Sequence, residues 1–119
     1  MEKPDILAAL AALAQENRLD VFRLLVQAGP GGLAAGAVAA KLSLAPNTLS
    51  FHLDRLRTAG LISVKREGRS LIYAARYETM NNLLAYLTEN CCGGKPGPCV
   101  PVTCEPAKPT RKRKRETVR

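Results

Sequence analysis

Apolar residues repeat at helical spacing through the first half of the chain, and the period then changes. Ile6, Leu7, Leu10 and Leu13 recur along an Ala- and Leu-rich stretch, which predicts an amphipathic helix over residues 5–15. Asn17 has a side chain suited to an N-cap, and Leu19, Phe22, Leu25 and Val26 make the apolar side of a second helix over residues 18–27. Gly29-Pro30-Gly31-Gly32 ends it. A short Ala-rich helix over residues 34–42 leads into the turn Ser43-Leu44-Ala45-Pro46. Pro46 suits the first position of a fourth helix, because its missing N–H has no intrahelical partner there in any case. That helix extends to residue 59, with Gly60 as its C-cap.

From Leu61 the pattern turns β-rich. Residues 61–66 and 70–75 flank Glu67-Gly68-Arg69, which reads as a hairpin. Met80, Leu83, Leu84 and Leu87 then mark a last helix over residues 78–89. Residues 93–109 hold five prolines and three glycines, the composition of an irregular tail. The predicted fold class is mainly α with a β-hairpin wing, in the order ααααββα. The predicted segments are a domain over residues 1–90, a cysteine-bearing tail over 91–107 and a basic tail over 108–119.

Composition sharpens this picture. The chain has 119 residues, no Trp and 4% aromatics, so its core must be built from Leu, Ala, Val and Ile. So short a chain has much surface for its volume, which a dimer partner would relieve. No apolar run is long enough to span a membrane, and the N-terminal residues lack a signal-peptide pattern, so the expected location is cytoplasmic. The net charge of +8 is misleading as a sign of nucleic-acid binding. Residues 108–119 contribute +6 of it, and the other 107 residues only +2. Arg111-Lys112-Arg113-Lys114-Arg115 can add phosphate contacts or act as a solvated tail.

A more local argument for DNA comes from the third and fourth helices. Helix, short turn and a second helix of about fourteen residues is the spacing of a helix-turn-helix, whose second helix enters the major groove. Leu49, Leu53 and Leu56 share one face and are expected to pack inward. Asn47, Thr48, Ser50, Phe51, His52 and Arg55 are then expected to point outward, toward base edges or phosphates. Lys65, Arg66 and Arg69 surround the hairpin tip, where a wing would touch DNA. The plainer reading of all nine is a solvated surface.

Three segments carry a resemblance. Asn17-Arg18-Leu19-Asp20-Val21-Phe22-Arg23-Leu24-Leu25 resembles the "N/P-x-R-L-x-I-L-x-L-L" stretch of the ArsR/SmtB family of winged-helix repressors. The run from Thr48 to Ile62 is similar to that family's "S-x-H-L-x-x-L-x-x-A-G-L-V", and Arg66-Glu67-Gly68-Arg69 with Tyr73 to its "R-x-G-R-x-x-x-Y" wing. The matches run in family order over residues 5–90. The resemblance implies a homodimer joined by the first and last helices. It also implies release from double-stranded operator DNA when a metal or metalloid binds.

Four cysteines, Cys91, Cys92, Cys99 and Cys104, lie within fourteen residues, and the chain has no others. In a reducing compartment such a cluster points to metal binding or redox chemistry. An enzyme is not expected: the vicinal pair follows a helix C-terminus, where the dipole disfavours a thiolate, and no catalytic base accompanies it. Thiolates select soft ions. Three nearby sulfurs suit As(III) or Sb(III); Cys104 could complete a four-sulfur zinc site, and a thiol redox switch is the other alternative. The family's Cys-x-Cys site before the recognition helix is missing, since residues 36–42 contain no thiol, and the last helix has no His. Glu89-Asn90-Cys91-Cys92 instead resembles the arsenic-responsive branch that closes its last helix with "E-N-C-C". The expected inducer ligands are therefore Cys91, Cys92 and Cys99, with Cys104 open, for inorganic or methylated As(III) or for Sb(III).

Overall fold

In a computed structural model, which describes residues 1–94, the first helix begins two residues before its predicted start. α1 spans Lys3–Leu13. Pro4 sits in its first turn, where no N–H is needed, and the Asp5 carboxylate accepts from the Glu2 backbone N–H at 3.2 Å. α2 spans Glu16–Ala28, and its cap is Gln15, not Asn17. Gln15 has extended backbone and its side chain accepts from the Arg18 N–H at 2.9 Å, which leaves Asn17 inside the first turn.

α3 (Ala35–Leu42) and α4 (Pro46–Thr58) are joined by a tight turn in which Ser43 adopts φ 55°. Pro46 opens α4 as predicted, and Gly60 follows its end at φ 81°. β2 (Ile62–Glu67) and β3 (Ser70–Ala75) form the predicted hairpin, with Glu67 opposite Ser70. Gly68 alone of the two loop residues has positive φ, as a type II′ turn requires. α5 (Tyr77–Leu87) completes the unit. Its Tyr77 hydroxyl donates to the Val26 carbonyl of α2 at 2.9 Å.

The hairpin is part of a larger sheet. β1 (Leu33–Ala34) pairs antiparallel with β3, Leu33 opposite Tyr73 and Ala34 opposite Ile72, so the strand order is β1-β3-β2. Two residues are too few to show alternation, which hides this strand in the sequence. The approach is close at Gly32, where a Cβ would collide with the Tyr73 carbonyl oxygen.

The core gathers Ala9 of α1, Val21, Phe22 and Leu25 of α2, Val38 of α3, and Leu49, Leu53 and Leu56 of α4, closed by Leu61, Ile62 and Ala75. Two predicted faces are corrected. On α1, Ile6 and Ala9 are buried whereas Leu7 and Leu10 are exposed. On α2, Leu19 is exposed and Val21 takes a core position. The chain divides into two units, Met1–Glu89 and Asn90–Arg119. Of the second, only the tight turn at its start is described. Cys99, Cys104 and the basic tail over residues 108–119 lie outside the described residues. Among the described residues, no helix is long and apolar enough to cross a membrane.

Gly32→Ala is expected to destabilise the fold by about 2 kcal/mol or more, since the new methyl meets backbone and the φ of 73° is strained. Gly36→Ala, in α3 with open space around it, should instead stabilise by about 0.5–1 kcal/mol. Urea unfolding midpoints of the two variants check both signs.

Candidate nucleic-acid interface

α4 is fixed by a buried stripe at positions 49, 52, 53 and 56, the i, i+3, i+4, i+7 pattern of one helical face. Its opposite side is exposed and carries Asn47, Thr48, Ser50, Phe51 and Arg55. Phe51 is 51% exposed, large for an aromatic ring in a chain with so few. The Arg55 guanidinium lies 4.9 Å from the centre of that ring, in cation–π contact one turn along. The helix start adds positive potential. Ala45 gives no side-chain cap, so the first-turn N–H groups of Asn47 and Thr48 face outward without one, as anion sites at helix N-termini do.

His52 departs from the sequence reading, which placed it outward. It is 6% exposed and shares the inward face with Leu49, Leu53 and Leu56. The cause is helical geometry: position 52 falls between 49 and 53 on the same stripe. Its Nδ1 lies 3.4 Å from an Arg18 guanidinium nitrogen. Burial, and then the Arg18 charge, hold the imidazole below the ordinary value of 6.5. His52 is therefore a core group behind the exposed face and not part of it.

The wing tip carries Lys65, Arg66 and Arg69, all exposed as expected. They are not equivalent. The Lys65 ammonium sits 3.0 Å from the Glu67 carboxylate, while no ion pair involves Arg66 or Arg69 among the described residues. On α4, Arg57 is likewise paired with Asp54 at 2.9 Å. The cations without a carboxylate partner on this surface are thus Arg55, Arg66 and Arg69, and Arg55 rests on Phe51.

The second unit opens with the turn Cys91–Gly94, in which Cys92 has φ 57°. The Cys91 and Cys92 Sγ atoms are 3.6 Å apart, well beyond the ~2.0 Å of a disulfide. Two metal–sulfur bonds of about 2.3 Å span up to about 4.6 Å, so both sulfurs can reach one soft centre. No group of three metal-binding side chains is assembled among the described residues.

Sequence reasoning placed Arg18 in a motif without giving it a role. Its Nε donates to the Ala12 carbonyl at 2.7 Å, and its other end meets His52. The available signal was a cation in the first turn of a helix, where the dipole opposes it.

A family profile for a helix-turn-helix domain matches residues 13–65. The nodulation protein NolR of Rhizobium meliloti is 31% identical over 80 residues, covering 67% of this chain. That match spans 63% of NolR, a little under two thirds of its length. The HTH-type transcriptional regulator YgaV of Escherichia coli K12 is 31% identical over 85 residues, covering 71% of this chain and 84% of YgaV. Among solved structures, the fold is that of the homodimeric winged helix-turn-helix DNA-binding domain of Mb0332 from Mycobacterium bovis, a possible ArsR-family transcriptional regulator. The TM-score is 0.60 and the identity 23%, over 77% of this chain and 85% of that one. With YgaV matched over most of its length, the chain belongs to the helix-turn-helix transcriptional regulators, and its fold is that of ArsR-like winged-helix domains.

Proposed function

We propose that the chain is a dimeric repressor that reads operator DNA with α4 and the β2–β3 wing, and releases it when a trivalent metalloid binds its C-terminal thiols. The observation that carries the DNA reading is the division of α4 into a leucine-lined inner face and an outer face of short polar residues around Phe51 and Arg55. Asn47, Thr48 and Ser50 are short enough to meet base edges with little lost side-chain entropy, and Asn suits adenine. Arg66 and Arg69 supply phosphate contacts from the wing.

Dimerisation is supported by apolar side chains that the unit leaves uncovered. Leu7 and Leu10 on α1 and Tyr86 and Leu87 on α5 are all exposed. A shallow depression of about 340 Å³ lined by Met1, Asn82, Ala85, Tyr86 and Glu89 sets the chain start beside α5. Both helices thus offer apolar side chains that a second copy would cover, and that contact would set the spacing of two recognition helices. Half-sites about 34–36 Å apart demand that this spacing be kept.

The inducer in this reading is As(III), methylated As(III) or Sb(III), held by Cys91, Cys92 and Cys99. The 3.6 Å separation of the vicinal sulfurs supports the first two ligands. Three thiolates satisfy a trigonal-pyramidal metalloid. Cys91 lies four residues beyond the end of α5, so ligation there would restrain the dimer helix and alter the recognition spacing. Release requires that the metalloid favour the DNA-free form.

Arg66→Ala and Arg69→Ala should each weaken binding evenly across DNA sequences and lower the salt slope by about 1, whereas Asn47→Ala should relax preference at one base pair by about 1–3 kcal/mol. Fluorescence anisotropy at several salt concentrations, on selected and scrambled duplexes, separates the two effects. Stoichiometric As(III) should lower operator affinity about tenfold or more, and Cys92→Ser should abolish that response without changing affinity in its absence. Native mass spectrometry of the reduced chain with As(III), Sb(III) and Zn(II) checks the ligand. A tightly held Zn(II), or full As(III) response in Cys92→Ser, would sink the metalloid reading.

A further inference from the structure

His52 is the one polar side chain in the buried set of the described residues. A leucine there would complete the stripe of Leu49, Leu53 and Leu56 and gain burial. The imidazole packs edge-on against Phe51 but also needs a hydrogen-bond partner, and Arg18 supplies it. Arg18 in turn stands in the first turn of α2, against the helix dipole. Its Nε binds the carbonyl of Ala12, one of the last four of α1, which an α-helix leaves without an internal partner.

Packing does not explain the arrangement. Between α1 and α4 lies an open cleft of about 490 Å³, bordered by Ala8, Ala11 and Ala12 on one side and Phe51, Arg55 and Thr58 on the other. The alanines leave that space unfilled, and Arg18 lines it. A polar bridge from the end of α1 to the middle of α4 stands where larger side chains would otherwise set the angle between the two helices.

We propose that Arg18 and His52 are a positioning pair for DNA reading: the guanidinium, anchored on the end of α1, fixes the rotation of α4 through the imidazole. The pair thereby sets the aim of the exposed α4 residues and links them to the helix that carries Leu7 and Leu10 on its outer face. This rests on the repressor reading above. Neither residue contacts DNA in this scheme; both act through the residues they orient.

The bridge has a pH signature. A neutral imidazole accepts from Arg18 through Nδ1, while a protonated one has no acceptor and sits beside a second cation. Arg18 is the charged group acting on it, and the facing part of α1 offers a carbonyl and alanines. With the folded value held below 6.5, the unfolded chain takes up the proton first as pH falls. Bridge and stability are complete above 6.5 and are lost as pH drops through the lowered folded value.

The test uses the full chain and the duplex that the wild type enriches from a random-sequence pool. Arg18→Met and His52→Leu should each weaken binding about tenfold, and the double variant should be little worse than either. His52→Asn, which keeps an acceptor near Nδ1, should bind within about twofold of wild type and lose the acid fall-off in affinity. Thermal melts of His52→Leu should match or exceed wild type, which separates lost aim from lost fold. Unchanged affinity in His52→Leu, additive losses in the double variant, or an acid fall-off retained by His52→Asn would overturn the proposal. A wild type that enriches no duplex overturns the repressor reading, and this one with it.

Discussion

Burial of the stripe on α4 is the constraint from which the rest of the surface follows. Each buried leucine contributes about 1.5–3 kcal/mol, so Leu49, Leu53 and Leu56 together outweigh by several-fold anything an exposed ion pair supplies. The Asp54–Arg57 and Lys65–Glu67 pairs are exposed and are each worth about 0–1 kcal/mol. Leucines therefore decide where α4 sits, and the residues on its far side can be chosen for a partner at little cost to the fold. A core almost without aromatic rings strengthens this division, because no single large residue can stand in for a missing helix face.

The fold was legible wherever a repeat extended over two turns or more. Pro46, Gly60 and Gly68 punctuated α4 and the wing correctly, since each answers a backbone demand that no packing can change. The misreadings share a different cause. Leu7 and Leu10 were read with Ile6 and Leu13 as the apolar repeat of an amphipathic helix, yet Ala9 took the inward place. A sequence shows which residues prefer burial but not which of two apolar faces meets the rest of the chain.

The candidate interface was legible in outline. Asn47, Thr48, Ser50, Phe51 and Arg55 lie on the exposed side, and the wing carries its three cations. His52 was misplaced because a polar residue next to polar residues reads as surface, although its position in the heptad put it among leucines. The pairing that accounts for it joins residues 34 apart in the chain, and no local pattern reveals such a contact. Arg18 and Lys65 illustrate the same point from the other side: what a charge can do depends on whether a carbonyl or carboxylate already holds it.

The pairing of β1 with β3 has a consequence for how the chain acquires its shape. Leu33 meets Tyr73, and the backbone at Gly32 lies against the same residue. During synthesis every residue of the helix-turn-helix leaves the ribosome before its third strand exists. Closing a loop of that length carries an entropic cost that the local β2–β3 hairpin does not, so the β1–β3 pairing follows the hairpin. A nascent chain stopped between Thr58 and Ser70 would hold the recognition helix complete while β1 still lacked its neighbour.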